Sequence, residues 1–200
     1  MQIGKILHPI HSLGINTRIG IWTLGCFRSC YNCSNPELQY ADKSKELSIE
    51  TIMEILKQFD FQGVTISGGE PFLQIHELYK LVKAIIEEIK IDDILVFTGY
   101  TIEELKEMHD VEVDYILSHI AVLVDGPYIE EKHTEKPLQG SENQRVMIIN
   151  KKYEKDYLAY LEKEKTFDII QDEEYTHFIG IPIKNYKEQY RLFLKGDETK

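Results

Sequence analysis

Short apolar runs rich in β-branched residues alternate with helical stripes through the first three quarters of this chain. That alternation limits the fold more than any other feature. Ile19 to Leu24 reads as a buried strand. Behind Ser48, a candidate N-cap, Ile49, Ile52, Met53 and Leu56 fall on one helical face. Val64 to Ser67 is a short strand stopped by Gly68-Gly69. Leu78, Leu81, Val82, Ile85, Ile86 and Ile89 form the cleanest helical stripe, and Ile94 to Phe97 the next strand. Thr101-Ile-Glu-Glu104 is a capping box that opens another helix. Ala121 to Val124 and Val146 to Ile149 read as further strands. Strand-helix-strand order predicts parallel strands joined by right-handed crossovers, buried on both faces. Functional groups in such α/β sheets gather at the C-terminal strand ends. Here those ends lead into segments 25–36, 67–74, 98–101 and 125–144.

Composition narrows the class. Of 200 residues, 42% are hydrophobic and 28% charged, which excludes a disordered chain. No apolar run nears the ~18 residues that span a bilayer. No signal-peptide pattern opens the sequence, so a soluble cytoplasmic protein with no membrane role is expected. The 23 basic against 34 acidic residues give a net charge of -11, which argues against nucleic-acid binding.

Three cysteines, Cys26, Cys30 and Cys33, are the only ones in the chain. An odd number packed this tightly is a poor disulfide framework and a good soft-metal site. In a C-x3-C-x2-C loop they suit three corners of an iron–sulfur cube, with one iron left for a ligand. The rival is structural zinc completed by His8, His11 or His76. The first acidic residue is Glu37, although about six would be expected before it at the chain's average density. That stretch carries Lys5, Arg18 and Arg28. Either it favours a net-negative cluster or it is simply poor in helix-forming residues.

Ser67-Gly-Gly-Glu-Pro71 ends a predicted strand. Its glycines let the backbone approach a ligand, and its carboxylate suits an amine; as plain text it also reads as a turn. Thr98, Gly99 and Tyr100 end the next strand. Asp125 ends another, and if buried it needs a partner: a cation, a cofactor hydroxyl or a turn N–H. Asn143, Gln144 and Arg145 offer amide and guanidinium donors, or make a polar turn.

Taken together, the cysteine loop and the Gly-Gly-Glu-Pro resemble the radical S-adenosylmethionine superfamily. Asn35-Pro-Glu37, Phe97-Thr-Gly-Tyr-Thr101, Val124-Asp-Gly-Pro-Tyr128 and Gly140-Ser-Glu-Asn-Gln-Arg145 are similar to the activating proteins of anaerobic ribonucleotide reductases. The resemblance covers about residues 14–150. It implies a partial, open parallel β/α barrel, since five core strands cannot close as eight do. It implies that Cys26, Cys30 and Cys33 hold a 4Fe–4S cluster whose free iron takes the amino and carboxylate groups of S-adenosylmethionine. Gly68, Gly69, Glu70 and Pro71 would serve the amino group. Thr98, Gly99, Tyr100, Asp125, Asn143, Gln144 and Arg145 would serve the rest of the cofactor or a partner's loop. Reductive cleavage would yield a 5′-deoxyadenosyl radical that takes hydrogen from a glycine of a large glycyl radical enzyme. A flavodoxin- or ferredoxin-type protein would supply the electron. Another glycyl radical enzyme, a peptide or a nucleoside are the alternative substrates, and a non-catalytic zinc or iron–sulfur module is the alternative class. Asn32 stands where the wider superfamily often has an aromatic on adenine, with Tyr31 beside it.

From about 151 the texture changes. Residues 1–150 are expected to form the radical S-adenosylmethionine core, and 151–200 a small extension packed on it. In that extension Tyr153, Tyr157, Leu158 and Leu161 fit a helix. Phe167 to Ile170 and His177 to Ile183 fit a hairpin around Asp172-Glu-Glu174. Residues after Lys184 read as a polar, partly helical tail.

Overall fold

Six strands line up in chain order in one sheet, β1 (Ile3–Ile10), β2 (Arg18–Thr23), β3 (Gly63–Gly68), β4 (Ile94–Phe97), β5 (Val122–Asp125) and β6 (Arg145–Ile148). The computed structural model describes residues 1–171, 175–186, 188, 190 and 191. The inner four strands, β2 to β5, are parallel, as the alternation predicts. Both edges depart from a purely parallel sheet. β1 pairs antiparallel with β2 through two register shifts, and β6 pairs antiparallel with β5. β1 escapes the sequence reading because Gly4, Lys5 and His8 break its apolar pattern. β6 runs backwards for a topological reason. A parallel return needs a crossover, usually helical, and residues 126–144 hold only the short turn Glu130–Lys132. The chain therefore re-enters the sheet at the end where it left.

The crossovers are α1 (Ile49–Leu56), α2 (Ile75–Ala84), and the pair α3 (Ile102–Glu107) and α4 (Val111–His119). Ser48 caps α1 by accepting from the Thr51 N–H. The Thr101–Glu104 capping box forms at α3. The apolar stripe of α2 continues through a π turn, Ile85–Ile89, which ends at Lys90 with a φ of 67°. α4 was not foreseen. Its signals are Asp110, which caps the Glu112 N–H, and an inward set of only Val113, Ile116 and Leu117.

Side chains alternate across the sheet and build two cores. One face sends Ile19, Ile21, Val64, Ile66, Ile94, Val96 and Leu123 against α1, α2 and α4. The opposite face carries Leu95, Val122 and Val124 in one cluster, and Ile10, Trp22 and Leu24 in another. Chain beyond residue 150 covers that second face. Tyr157 of α5 (Glu154–Leu161) is buried against Leu95 and Val122, and Ile179 packs with Trp22. Ile179 ends a hairpin formed by β7 (Asp168–Gln171) and β8 (Thr176–Ile179), as the sequence suggested. The expected Asp172-Glu-Glu174 turn and the tail from 192 lie outside the described residues. Among the described residues, no helix is long and apolar enough to cross a membrane.

Arg18 anchors this second face at the N-terminal end of the parallel strands. It is fully buried, and its guanidinium donates to Thr65 Oγ1 (2.7 Å), Asp93 Oδ2 (2.6 Å) and three backbone carbonyls. Tyr157 donates its hydroxyl to the other Asp93 oxygen at 2.7 Å. A buried ion pair holds only when its remaining hydrogen-bonding groups are met, and here they are.

Candidate functional site

The three cysteines follow β2 directly. Their loop is pinned at its base, where Gly25 N–H donates to Leu38 O and Cys26 N–H to Gln39 O, each at 2.9 Å. Ser29 and Asn32 take left-handed φ values of 45° and 57°, which fold the chain back on either side of Cys30. All three thiols are free and half-buried. Burial pushes the Cys26 and Cys30 thiols up, and each feels the negative charge of Cys33. A bound metal reverses that order, since it takes the thiolate. Cys30 and Cys33 line a cleft of about 890 Å³, within the range of small-molecule sites.

The donor set fits an iron–sulfur cube. Three thiolates with no fourth cysteine leave one iron open. Among the described residues, no three His, Cys, Asp or Glu side chains converge as one ion requires. A cube gives each thiolate its own iron and needs no such convergence. The zinc reading loses its histidines too: His8 bonds the Asp60 carbonyl, His11 pairs with Asp168, and His76 with Glu112. None of these lines the cleft. His133 does, with its ring bonded to Glu135 at 3.0 Å.

Gly68 and Gly69 are glycine for a reason the sequence does not display. A Cβ on Gly68, whose φ is 122°, would lie 2.2 Å from Thr23 N, and one on Gly69 would lie 2.1 Å from Gly25 O. The pair lets two strand ends and the cysteine loop pack backbone to backbone. Glu70 then turns inward. It is 1% exposed, and its carboxylate accepts from Phe72 N–H (3.0 Å), Thr98 Oγ1 (2.8 Å) and Gly99 N–H (2.7 Å). Burial raises its pKa, and these bonds pull the other way. Pro71 opens the short turn Pro71–Gln74, which Glu70 caps.

Glu70 thus joins the β3 and β4 loops, and Arg28 joins both to the cysteines. The Arg28 side chain touches the Gly99 position, donates to Glu104 at 2.9 Å and lies over the rings of Phe27 and Tyr100. Its Nε is buried with no partner. Of the cations in the acid-free stretch, Arg28 stands among the cysteines, while Arg18 is committed to Asp93. The basic surround expected from the acid-free stretch is supplied at the cysteines by Arg28, while the packing of Phe27 on Tyr100 has no signal in the sequence.

Asp125 is fully buried and finds two partners. It accepts from Ile102 N–H at 2.7 Å and from Arg145, whose Nε lies 3.0 Å away. The cation named for Asp125 in the sequence reading is therefore Arg145. Arg145 also grips Glu103 through both of its terminal nitrogens, which holds the Glu103 carboxyl down at about 2. Gln144 knits its own loop by accepting from Gly140 N–H and donating to Gly126 O. Asn143 donates to Pro127 O at 2.7 Å and leaves a buried, unpartnered Oδ1. Of these three residues only Gln144 lines the cleft.

The site and sheet together define an iron–sulfur α/β protein. Residues 13–147 match the family of the 4Fe-4S single cluster domain. Anaerobic ribonucleoside-triphosphate reductase-activating proteins of Enterobacteria phage T4, Haemophilus influenzae and Escherichia coli K12 are each 30% identical over 141 residues. Those alignments take in 66% of this chain and 85%, 87% and 89% of the relatives. The chain belongs to this 4Fe-4S family of anaerobic ribonucleoside-triphosphate reductase-activating proteins.

Proposed function

We propose that this chain is a radical S-adenosylmethionine enzyme that installs a glycyl radical on an anaerobic ribonucleoside-triphosphate reductase. One observation carries the reading: three half-buried thiols on one loop, with no fourth cysteine in the chain, two of them (Cys30 and Cys33) lining a ligand-sized cleft. The names and 30% identity of the relatives support the choice of partner.

In this reading Cys26, Cys30 and Cys33 hold a 4Fe–4S cluster. Bound there, the cluster would supply the single electron for reductive cleavage of S-adenosylmethionine into methionine and a 5′-deoxyadenosyl radical. That radical would take a hydrogen atom from the partner's glycine, which would leave 5′-deoxyadenosine and a glycyl radical. The chain's own work is positional. Glu70, with three internal donors, holds Thr98 and Gly99 against the cysteine loop and leaves the cofactor's amino group to the backbone of Gly68 and Gly69. Pro71 fixes the turn behind them. Tyr100 packs on Phe27 of the cysteine loop, with ring centroids 4.8 Å apart. Asp125, Arg145, Asn143 and Gln144 set the shape of the 126–144 loop on the far side. The open sheet is read as the partial barrel of this superfamily, with residues 1–150 as the core and 151–200 as its extension. A small flavodoxin- or ferredoxin-type donor supplies the electron.

The test is anaerobic reconstitution followed by reduction with S-adenosylmethionine and the reductase. The expected products are 5′-deoxyadenosine and a glycyl radical spectrum on the partner. Cys30→Ala is expected to lose both, together with the bound iron. Zinc without sulfide, or full iron content in Cys30→Ala, would remove the reading.

A further inference from the structure

The extension does more than cover apolar surface. Residues Ile181–Tyr186, Glu188 and Arg191 form the wall of the cleft that faces Cys30 and Cys33. The family match ends at residue 147, so this wall lies beyond the part that the family model matches. The T4 protein has only 15% of its length outside the alignment, against 34% of this chain. The wall is fastened at its base. Lys165 Nζ donates to Thr134 O at 2.7 Å and to Pro182 O at 3.2 Å, so one amine ties the wall to the 126–144 loop. Lys184 N–H donates to the Glu135 carboxylate at 3.0 Å, and Ser12 Oγ donates to the carbonyl of buried Ile179 at 2.8 Å.

The same extension also covers the sheet beside Trp22. Between the hairpin and the inner face of the sheet, over Trp22 and Ser67, a space of about 80 Å³ remains. Tyr186 borders both spaces, with its ring 5.4 Å from Tyr190. The large cleft reaches Cys30 and Cys33. Its lining is apolar at Phe97, Ile181 and Ile183 and carries exposed charges of both signs, Glu131 and Glu188 with Lys184 and Arg191. That chemistry suits an extended peptide with small apolar residues and a polar flank more than a polyanion.

We infer that the wall formed by residues 181–186, Glu188 and Arg191 is a specificity element of this chain, which admits the partner's radical-bearing peptide segment sideways, between the cysteine loop and the extension. The inference rests on the proposed reaction, and two readouts separate them. Partner-free formation of 5′-deoxyadenosine reports the cofactor chemistry, and the dependence of glycyl radical yield on reductase concentration reports access. Ile183→Trp, which narrows the cleft at this wall, and exposed Lys184→Glu, which reverses a charge at its mouth, are each expected to raise the KM for the reductase at least tenfold. Partner-free cleavage is expected to stay within twofold of the unsubstituted chain. An unchanged KM in both variants would overturn the inference, because the partner would then enter elsewhere. A parallel fall in partner-free cleavage would overturn it too, since the wall would then belong to the cofactor site. If the unsubstituted chain forms no 5′-deoxyadenosine, the proposed reaction itself fails, and the inference with it.

Discussion

At the scale of single residues, Glu70 and Arg28 are the joints of the site. Glu70 is buried and acceptor-only, with three donors aimed at it. Glu70→Gln turns one oxygen into an NH₂ that must face a donor. We expect it to cost about 1–3 kcal/mol, which lowers the melting temperature of the metal-free chain by several degrees. An unchanged melting temperature would show that the three bonds contribute nothing to the fold. Arg28 places a positive charge among the thiols. Arg28→Gln is expected to lower the midpoint potential of the bound cluster, because it removes a charge worth on the order of 1–2 kcal/mol to an incoming electron at an effective dielectric of ~20. Arg28→Lys should restore most of that shift, and equal potentials in all three proteins would reduce Arg28 to a packing group. The gathering of the cysteines on one loop after β2 was legible from their spacing. The inward turn of Glu70 was not, because a sequence shows a carboxylate beside two glycines and not the N–H groups of a loop 29 residues away.

Among elements, the helices and the inner strands were readable where propensity, capping and burial agree, as at Ser48 with α1 and Thr101 with α3. The edges were not, because strand direction is set by the connection rather than by the strand. Val146 to Ile149 has the same texture as the parallel strands, and only the missing helix in 126–144 marks β6 as antiparallel. The connection between α5 and the cleft wall was also invisible, since it hangs on one lysine. Burial lowers the Lys165 amine to about 8. The fold thus prefers the neutral amine, and the unfolded chain binds more protons between about 8 and the ordinary 10.5. Stability contributed by this group therefore rises as pH climbs through that window. Lys165→Met is expected to abolish that rise in a series of melting curves and to speed amide exchange at residues 181–186. A rise of the same size in the variant would assign it to another group.

For the whole molecule, the question is whether chain beyond 150 is an appendage or part of the core. Packing favours the second. Without α5 and the hairpin, Leu95, Val122, Val124 and Trp22 would face water on one side of the sheet, a contiguous apolar patch of the kind monomers avoid. Asp93 would lose the Tyr157 hydroxyl while still bound to buried Arg18. Two substitutions separate these contributions. Tyr157→Phe keeps the ring and removes one bond to a buried carboxylate, for an expected loss of about 1–3 kcal/mol. Tyr157→Ala also opens a cavity, for about 3–5 kcal/mol. A chain cut after Asn150 should lose the cooperative melt or bind a hydrophobic dye strongly. If it instead melts as sharply and as high as the full chain, the sheet's second face needs no cover. In that case the extension serves the cleft alone.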